Sequence, residues 1–211
     1  MTTATATCLF DNIVELPSLT QEGGKSNEWY TPARYIEAAR EVMGSIDLDP
    51  ASCAVANQTV KATRYYTKED NGLQQGWYGR VWLNPPYGRI HPELTGSTRS
   101  WQPLFIQKLL RDFLYGEVEQ AIILLLGNAL FKQWFPSLWE YPICVHETSI
   151  AFKRPGRKHH DTDRLGFGSI FIYLGPNEQK FIEVFSQFGR IAKAIDTPRQ
   201  PIVPLSLWEE V

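Results

Sequence analysis

Val81-Trp82-Leu83-Asn84-Pro85-Pro86-Tyr87-Gly88 is the stretch from which the rest of the chain can be ordered. Val81, Trp82 and Leu83 read as the end of a buried strand. The two prolines then forbid both sheet pairing and helix, because neither offers an N–H and Pro85 is held extended by Pro86. A stiff turn at a strand's carboxyl edge fixes three groups: the Asn84 amide, the Pro85 carbonyl and the Tyr87 ring. Two acceptors converging beside an aromatic face suit a planar ring that carries an amino group. The same residues also suit a plain structural role, as a Pro-rich loop capped by its Asn and packed on the core by its Tyr.

Strand and helix signals interleave on both sides of this turn. Upstream, Thr31 is a good helix N-cap and Pro32 suits the first helical position. The helix they open runs to about Met43, with Tyr35, Ile36, Ala39, Val42 and Met43 on one face and Gly44 closing it. Ile46-Asp47-Leu48-Asp49-Pro50-Ala51-Ser52 reads as a short strand ending in an acid and a proline. A carboxylate there emerges where open α/β sheets bind ligands. Residues 57–66 fit helix and strand equally, and Thr67-Lys68-Glu69-Asp70-Asn71-Gly72-Leu73 is turn-rich around Asn71-Gly72.

Downstream, residues 89–101 read as a surface loop. Pro103 begins a helix with Phe105, Ile106, Leu109, Leu110, Phe113 and Leu114 on its buried face. Residues 120–126 form a near-continuous aliphatic strand, the type covered on both faces. Strands near Ile143 and Ser169 are separated by a polar loop without a helix signal, so they are expected to pair antiparallel. A helix over 178–188 carries Phe181, Phe185 and Phe188 in one stripe with Gly189 as terminator. Residues 190–195 add an edge strand. The pattern predicts a three-layer α/β sandwich with a mainly parallel sheet.

The chain has 211 residues, 43% of them hydrophobic, enough for one substantial domain. Residues 1–25 read as a flexible N-terminal tail, 26–200 as the domain and 201–211 as a C-terminal tail. Three widely spaced cysteines, Cys8, Cys53 and Cys144, make neither a disulfide framework nor a Cys-x-x-Cys pair. They point to a reducing compartment without structural zinc. The longest apolar run, residues 121–126, is too short to cross a bilayer, and no secretory signal opens the chain. A net charge of −2 gives no global pull toward a polyanion, so any nucleic-acid surface must be local.

One such segment is residues 151–168, where Lys153, Arg154, Arg157, Lys158 and Arg164 outnumber Asp161 and Asp163. Flanked by strands, it reads as an arm across a phosphate backbone, or else as an ordinary solvated loop. His159-His160-Asp161-Thr162-Asp163 does not read as a metal site, because adjacent histidines point apart in an extended chain. Arg89 and Arg99 flank the loop after the proline turn and are placed to meet a polyanion or close over a bound ring.

Together these motifs resemble a known family. Asn84-Pro85-Pro86-Tyr87 looks like the catalytic motif of amino-group methyltransferases that use S-adenosylmethionine. Tyr30-Thr31-Pro32 with its following helix resembles their leading cofactor motif, and Asp49-Pro50-Ala51-Ser52 the acid-Pro motif that ends their first strand. From Asn27 to Gly88, with Glu69-Asp70-Asn71-Gly72-Leu73 included, the ensemble is similar to phage-type DNA N6-adenine methyltransferases. Weaker similarity continues through residues 121–126 and 167–174. The resemblance implies a Rossmann-like methyltransferase sandwich, S-adenosylmethionine without a metal, and transfer to the adenine N6 amine of DNA in a bacterial or phage-infected cell.

It also implies roles. Asn84, Pro85, Pro86 and Tyr87 become the catalytic turn, with Tyr87 stacking on the target ring. Tyr30, Thr31, Pro32, Asp47, Asp49, Pro50, Asp70 and Leu73 become cofactor-binding candidates. Among these, Asp49 faces the methionine end or ribose, Asp47 is interchangeable with it, Asp70 meets the adenine amino group or the ribose hydroxyls, and Leu73 lies beside the ring. A recessed amine pocket implies base flipping, from duplex or locally opened DNA. Two departures stand out. Ser52-Cys53-Ala54 replaces the usual glycines of the first loop, and the short interval from Asp49 to Asn84 predicts an abbreviated sheet region. Cytosine N4, RNA adenine or a protein glutamine amide would suit the same turn, and a non-catalytic nucleic-acid-binding scaffold is the alternative of another class. Either a monomer or a homodimer fits, the latter through Trp101, Trp134 and Trp139.

Overall fold

The computed structural model describes residues 29–90, 99–153, 163–164 and 168–194. The tails assigned to 1–25 and 201–211, and Arg154, Arg157 and Lys158 of the basic segment, lie outside the described residues.

Helix α1, Ala33–Met43, is rich in good helix formers and buries Tyr35, Ile36, Ala39, Val42 and Met43 on the expected face. It starts later than expected. Pro32 has an extended ψ of 141° and so takes the cap position itself, which displaces Thr31 from that role. Gly44, at φ 85°, ends the helix with its N–H on the Arg40 carbonyl. Strand β1, Leu48–Asp49, leads to α2, Ala54–Val60, and β2, Arg64–Tyr65. The segment that fitted both states thus contains both. A 3-10 turn, Gly72–Gln74, precedes β3, Gly79–Leu83, so only one two-residue strand stands between β1 and β3.

The chain continues through β4, Arg89–Ile90, and β5, Arg99–Ser100, which pair as a small antiparallel ribbon. Helix α3, Trp101–Leu114, starts before Pro103 because the Ser100 hydroxyl caps it, and a proline in the first turn sacrifices no helical bond. Then come β6, Val118–Leu126; β7, Ile143–His146; and the short ribbon of β8, Ala151–Phe152, with β9, Asp163–Arg164. Strand β10, Ser169–Leu174, helix α4, Glu178–Phe185, and β11, Gly189–Ala192, complete the fold.

Seven strands form one sheet in the order β2-β1-β3-β6-β10-β7-β11. The first four run parallel. Strand β10 is antiparallel to both neighbours, pairing Phe171 with Leu124 of β6 and with Cys144 of β7. The expected antiparallel pair is present, and β7 therefore points the same way as the parallel set. Alternate residues of the central strands feed two cores. Val81, Leu83, Ile123, Leu125, Ile170 and Ile172 pack with Phe105, Ile106 and Leu109 of α3. Trp82, Ile122, Leu124, Phe171 and Tyr173 pack with Tyr35, Ile36 and Ala39 of α1 and Phe181 and Phe185 of α4. These are the three layers.

Several local expectations change. Trp101 is buried, and Trp134 and Trp139 pack against the first core, so they are not free aromatics awaiting a partner. Leu114, the last residue of α3, is 68% exposed because the chain turns away at Tyr115 and Gly116. Gly189 opens β11 rather than ending a helix. A Cβ there would lie 2.0 Å from the Val145 carbonyl oxygen, so the strand can approach β7 only at a glycine.

Candidate active site

From β1 the chain moves to β2 on one side and returns to β3 on the other, so strand order reverses about β1. The carboxyl ends of the strands at such a reversal form the natural crevice of an open α/β sheet. Trp29, Tyr30, Thr31, Asp49, Ala51, Ser52, Trp82 and Asn84 line a cleft there, with about 290 Å³ of empty space including its open mouth.

Asn84 follows β3 directly. Its Nδ2 donates to the Trp29 carbonyl at 3.3 Å, which sets the orientation of the amide. Its Oδ1 is buried and has no hydrogen-bond partner. A buried acceptor left open is costly, so it marks a place where a donor is expected. Pro85 is buried and Pro86 half-buried, which seats the turn firmly. Strand β6 continues past the end of β3, where Leu83 lies opposite Ile123. The half-buried Tyr87 reaches this overhang, its hydroxyl donating to the Leu124 carbonyl at 3.3 Å. Burial pushes the phenol's pKa above the ordinary tyrosine value, so it stays a neutral donor.

Asp49 ends β1 and is 3% exposed. Its Oδ1 accepts from the Ala51 N–H at 3.2 Å. Burial pushes its pKa up to about 7, against the lowering pull of the neighbouring Ser52 hydroxyl and the Ala51 N–H. Among the described residues no cation bonds or pairs with it, so the site holds a carboxyl group poised to accept positive charge.

The cleft thus holds a buried carboxyl from β1 and an open amide oxygen just after β3. Residues 19–185 match the family model described as DNA N-6-adenine-methyltransferase (Dam). The chain belongs to this family. It is an S-adenosylmethionine-dependent methyltransferase that acts on the N6 amine of adenine in DNA. No protein of curated function matches the chain significantly.

The methyltransferase keeps its leading motif against the cleft. Tyr30 and the 8% exposed Thr31 line it, and Pro32 begins the turn into α1. Cys53, standing where glycines were expected, caps α2: its sulfur accepts from the Ala56 N–H, and its thiol donates to the Tyr30 hydroxyl at 3.7 Å. The cofactor fits these residues in charge, because Asp49 is a buried acid without a cation and the ligand is cationic.

Other expected cofactor residues are placed differently. Asp47 lies at the amino end of β1, where both carboxylate oxygens hold the Arg80 guanidinium at 2.8 and 2.9 Å. That pairing lowers its pKa and engages both of its oxygens, a partner Asp49 lacks among the described residues. Gly79, at φ 62°, makes room for it: a Cβ there would lie 2.6 Å from Asp47 Oδ2. Asp70 is exposed and accepts from the Thr67 N–H and hydroxyl at 2.8 and 2.9 Å, with a lowered pKa from those bonds. Leu73 is 4% exposed within the α3-side core. Pro50 supports the corner through its carbonyl, which lies beneath Gly72.

Of the basic candidates, Lys153 is exposed and forms a backbone bridge with Tyr30. Arg89 and Arg99 occupy the ribbon that follows the proline turn, and Arg164 lies in β9 opposite Ala151. Among the described residues no group of three His, Cys, Asp or Glu side chains is placed to hold a metal ion, and no helix is long and apolar enough to cross a membrane. Sequence reading missed three features: the buried, unpartnered amide of Asn71, the Cys53 cap on α2 and the Trp29 carbonyl that orients Asn84. Only the first carried a local signal, its place in an Asn-Gly turn.

Proposed function

We propose that catalysis rests on Asn84 Oδ1 and the Pro85 carbonyl, which together receive the two hydrogens of the target amine. An exocyclic amine is a poor nucleophile because its lone pair is shared with the ring. Acceptors on both hydrogens favour the tetrahedral geometry in which that lone pair is free to attack. When bound, S-adenosylmethionine supplies an electrophilic methyl group on a sulfonium. Asp49, together with the Tyr30 and Thr31 backbone, holds the cationic ligand. Positioning and fixed dipoles provide most of the acceleration, and ideal positioning alone is worth up to about 7–11 kcal/mol. The amine becomes acidic only after transfer, so its proton leaves to water and no strong base is needed.

The target nucleotide must leave the stack to reach this recessed corner, at a cost of a few kcal/mol. Tyr87 provides the ring on which the base stacks, a contact typically worth about 1–3 kcal/mol. Lys153, Arg154, Arg157, Lys158, Arg164, Arg89 and Arg99 supply the phosphate contacts to the DNA, and the setting is the cytoplasm of a bacterial or phage-infected cell.

The observation that carries this reading is the buried, unpartnered Asn84 oxygen at the carboxyl end of β3. The test supplies labelled methyl donor with unmethylated duplex DNA, single-stranded DNA or RNA, followed by nucleoside analysis. Wild type should yield N6-methyladenine in DNA. Asn84→Ala should lose turnover by about 10²–10³-fold, the usual cost of one such group, with S-adenosylhomocysteine affinity nearly unchanged. Full turnover by the variant would remove the proposed role.

A further inference from the structure

We infer that the carboxamide of Asn71 recognises the adenine ring of the methyl donor, pairing with its 6-amino group and an adjacent ring nitrogen. The inference rests on reading the cleft as the cofactor site and adds the residue that selects the purine. Asn71 is 6% exposed, yet both Oδ1 and Nδ2 are buried without a hydrogen-bond partner. A native chain rarely buries a whole amide in this way unless a ligand completes it.

The backbone agrees. Asn71 stands in the left-handed region, φ 50° and ψ 80°, a strained setting for a residue other than glycine. Next to it, Gly72 is pressed onto the cofactor corner: a Cβ there would lie 2.0 Å from the Pro50 carbonyl oxygen. Pro50 sits between Asp49 and Ala51, which both line the cleft. The Trp77 indole N–H pins the same turn by donating to the Gly72 carbonyl at 2.7 Å. Asp70, the acid first expected to meet the adenine, is exposed and engaged by Thr67. A carboxamide carries one acceptor and one donor face, and adenine offers the complement through N6–H with N1 or N7.

The experiment titrates S-adenosylhomocysteine, and its analogue with hydrogen in place of the 6-amino group, into the full chain without DNA. Wild type should prefer the amino form by about 10-fold or more, the worth of a buried hydrogen bond left unmade. Asn71→Gly should bind both equally, while its Tm without ligand stays level or rises, because glycine suits the backbone and removes the unpaired amide. Asn71→Asp, which keeps the acceptor and loses the donor, should weaken binding yet retain part of the preference. A preference that survives intact in Asn71→Gly overturns the assignment, as does a wild type that binds both forms alike. A wild type that binds neither form would sink the cofactor reading of the cleft, and this assignment with it.

Discussion

Tyr30 and Lys153 exchange backbone hydrogen bonds: the Tyr30 N–H donates to the Lys153 carbonyl at 2.9 Å, and the Lys153 N–H to the Tyr30 carbonyl at 3.1 Å. The Trp29 and Phe152 rings meet edge-on beside this bridge, 5.9 Å between centroids. The base of the basic ribbon is thereby stitched to the leading cofactor motif. Two segments far apart in sequence are joined next to the cleft that Trp29 and Tyr30 line.

Lys153→Ala keeps the bridge and removes only the charge. DNA affinity should fall several-fold, the slope of log K against log salt should shrink by about 1, and S-adenosylhomocysteine should bind as before. Lys153→Pro also removes the N–H, so it should weaken cofactor binding as well. Fluorescence anisotropy across a salt series measures the first effect, and an unaltered slope would dismiss Lys153 as a phosphate contact.

Asp49 ties cofactor affinity to pH. Its pKa in the folded chain is about 7, against an ordinary 3.8. Without ligand, the folded state keeps a proton between those values that the unfolded chain has released. Asp49's contribution to stability therefore falls as pH rises from about 4 to about 7, and is flat above. A cationic ligand prefers the ionised form, so S-adenosylmethionine should bind more tightly as pH climbs through about 7. Asp49→Asn should lose this pH dependence and weaken binding by about 30-fold, near the lower end for truncating a buried charge pair. Calorimetric titration from pH 6 to 8 decides it, and an unchanged pH profile in Asp49→Asn would rule Asp49 out as the responsive group.

Asp47 should behave oppositely. Its bonds to Arg80 are partly solvent-exposed, so Asp47→Ala should cost about 1 kcal/mol after solvent screening. That corresponds to about 2–4 °C in Tm for a chain of this size. Cofactor affinity should not move. A large loss of binding in this variant would return Asp47 to the site.

A relay with Tyr35 and His146 buried at its centre joins α1 to β7. An Arg34 N–H donates to the Tyr35 oxygen at 2.5 Å, Tyr35 and His146 Nε2 lie 2.8 Å apart, and His146 Nδ1 meets the Thr148 carbonyl. Burial is the main cause that lowers the His146 pKa. The unfolded chain therefore takes up a proton near pH 6.5 that the folded chain refuses, so stability from this group is lost as pH falls below about 6.5. His146→Gln, which does not titrate, should show a shallower loss of Tm than wild type between pH 6.5 and 5. Parallel curves would show that the relay carries no such linkage.

The proline turn, the α1 face, the aliphatic strand β6 and the late antiparallel pair were all legible from residue order, because each is written in a short window. Proline geometry, apolar periodicity and glycine breaks act over a few residues and need no distant partner. The shortened region before β3 was legible as well, from the interval alone. The division of labour among acids was not. Asp47 finds Arg80 at a separation of 33 residues, Asn84 finds the Trp29 carbonyl at 55, and Tyr35 finds His146 at 111. Local propensity carries no information about such meetings. Strand register and the reversal of strand order about β1 bring these groups together, leaving Asp49 buried without a cation and Asn84 with an open oxygen.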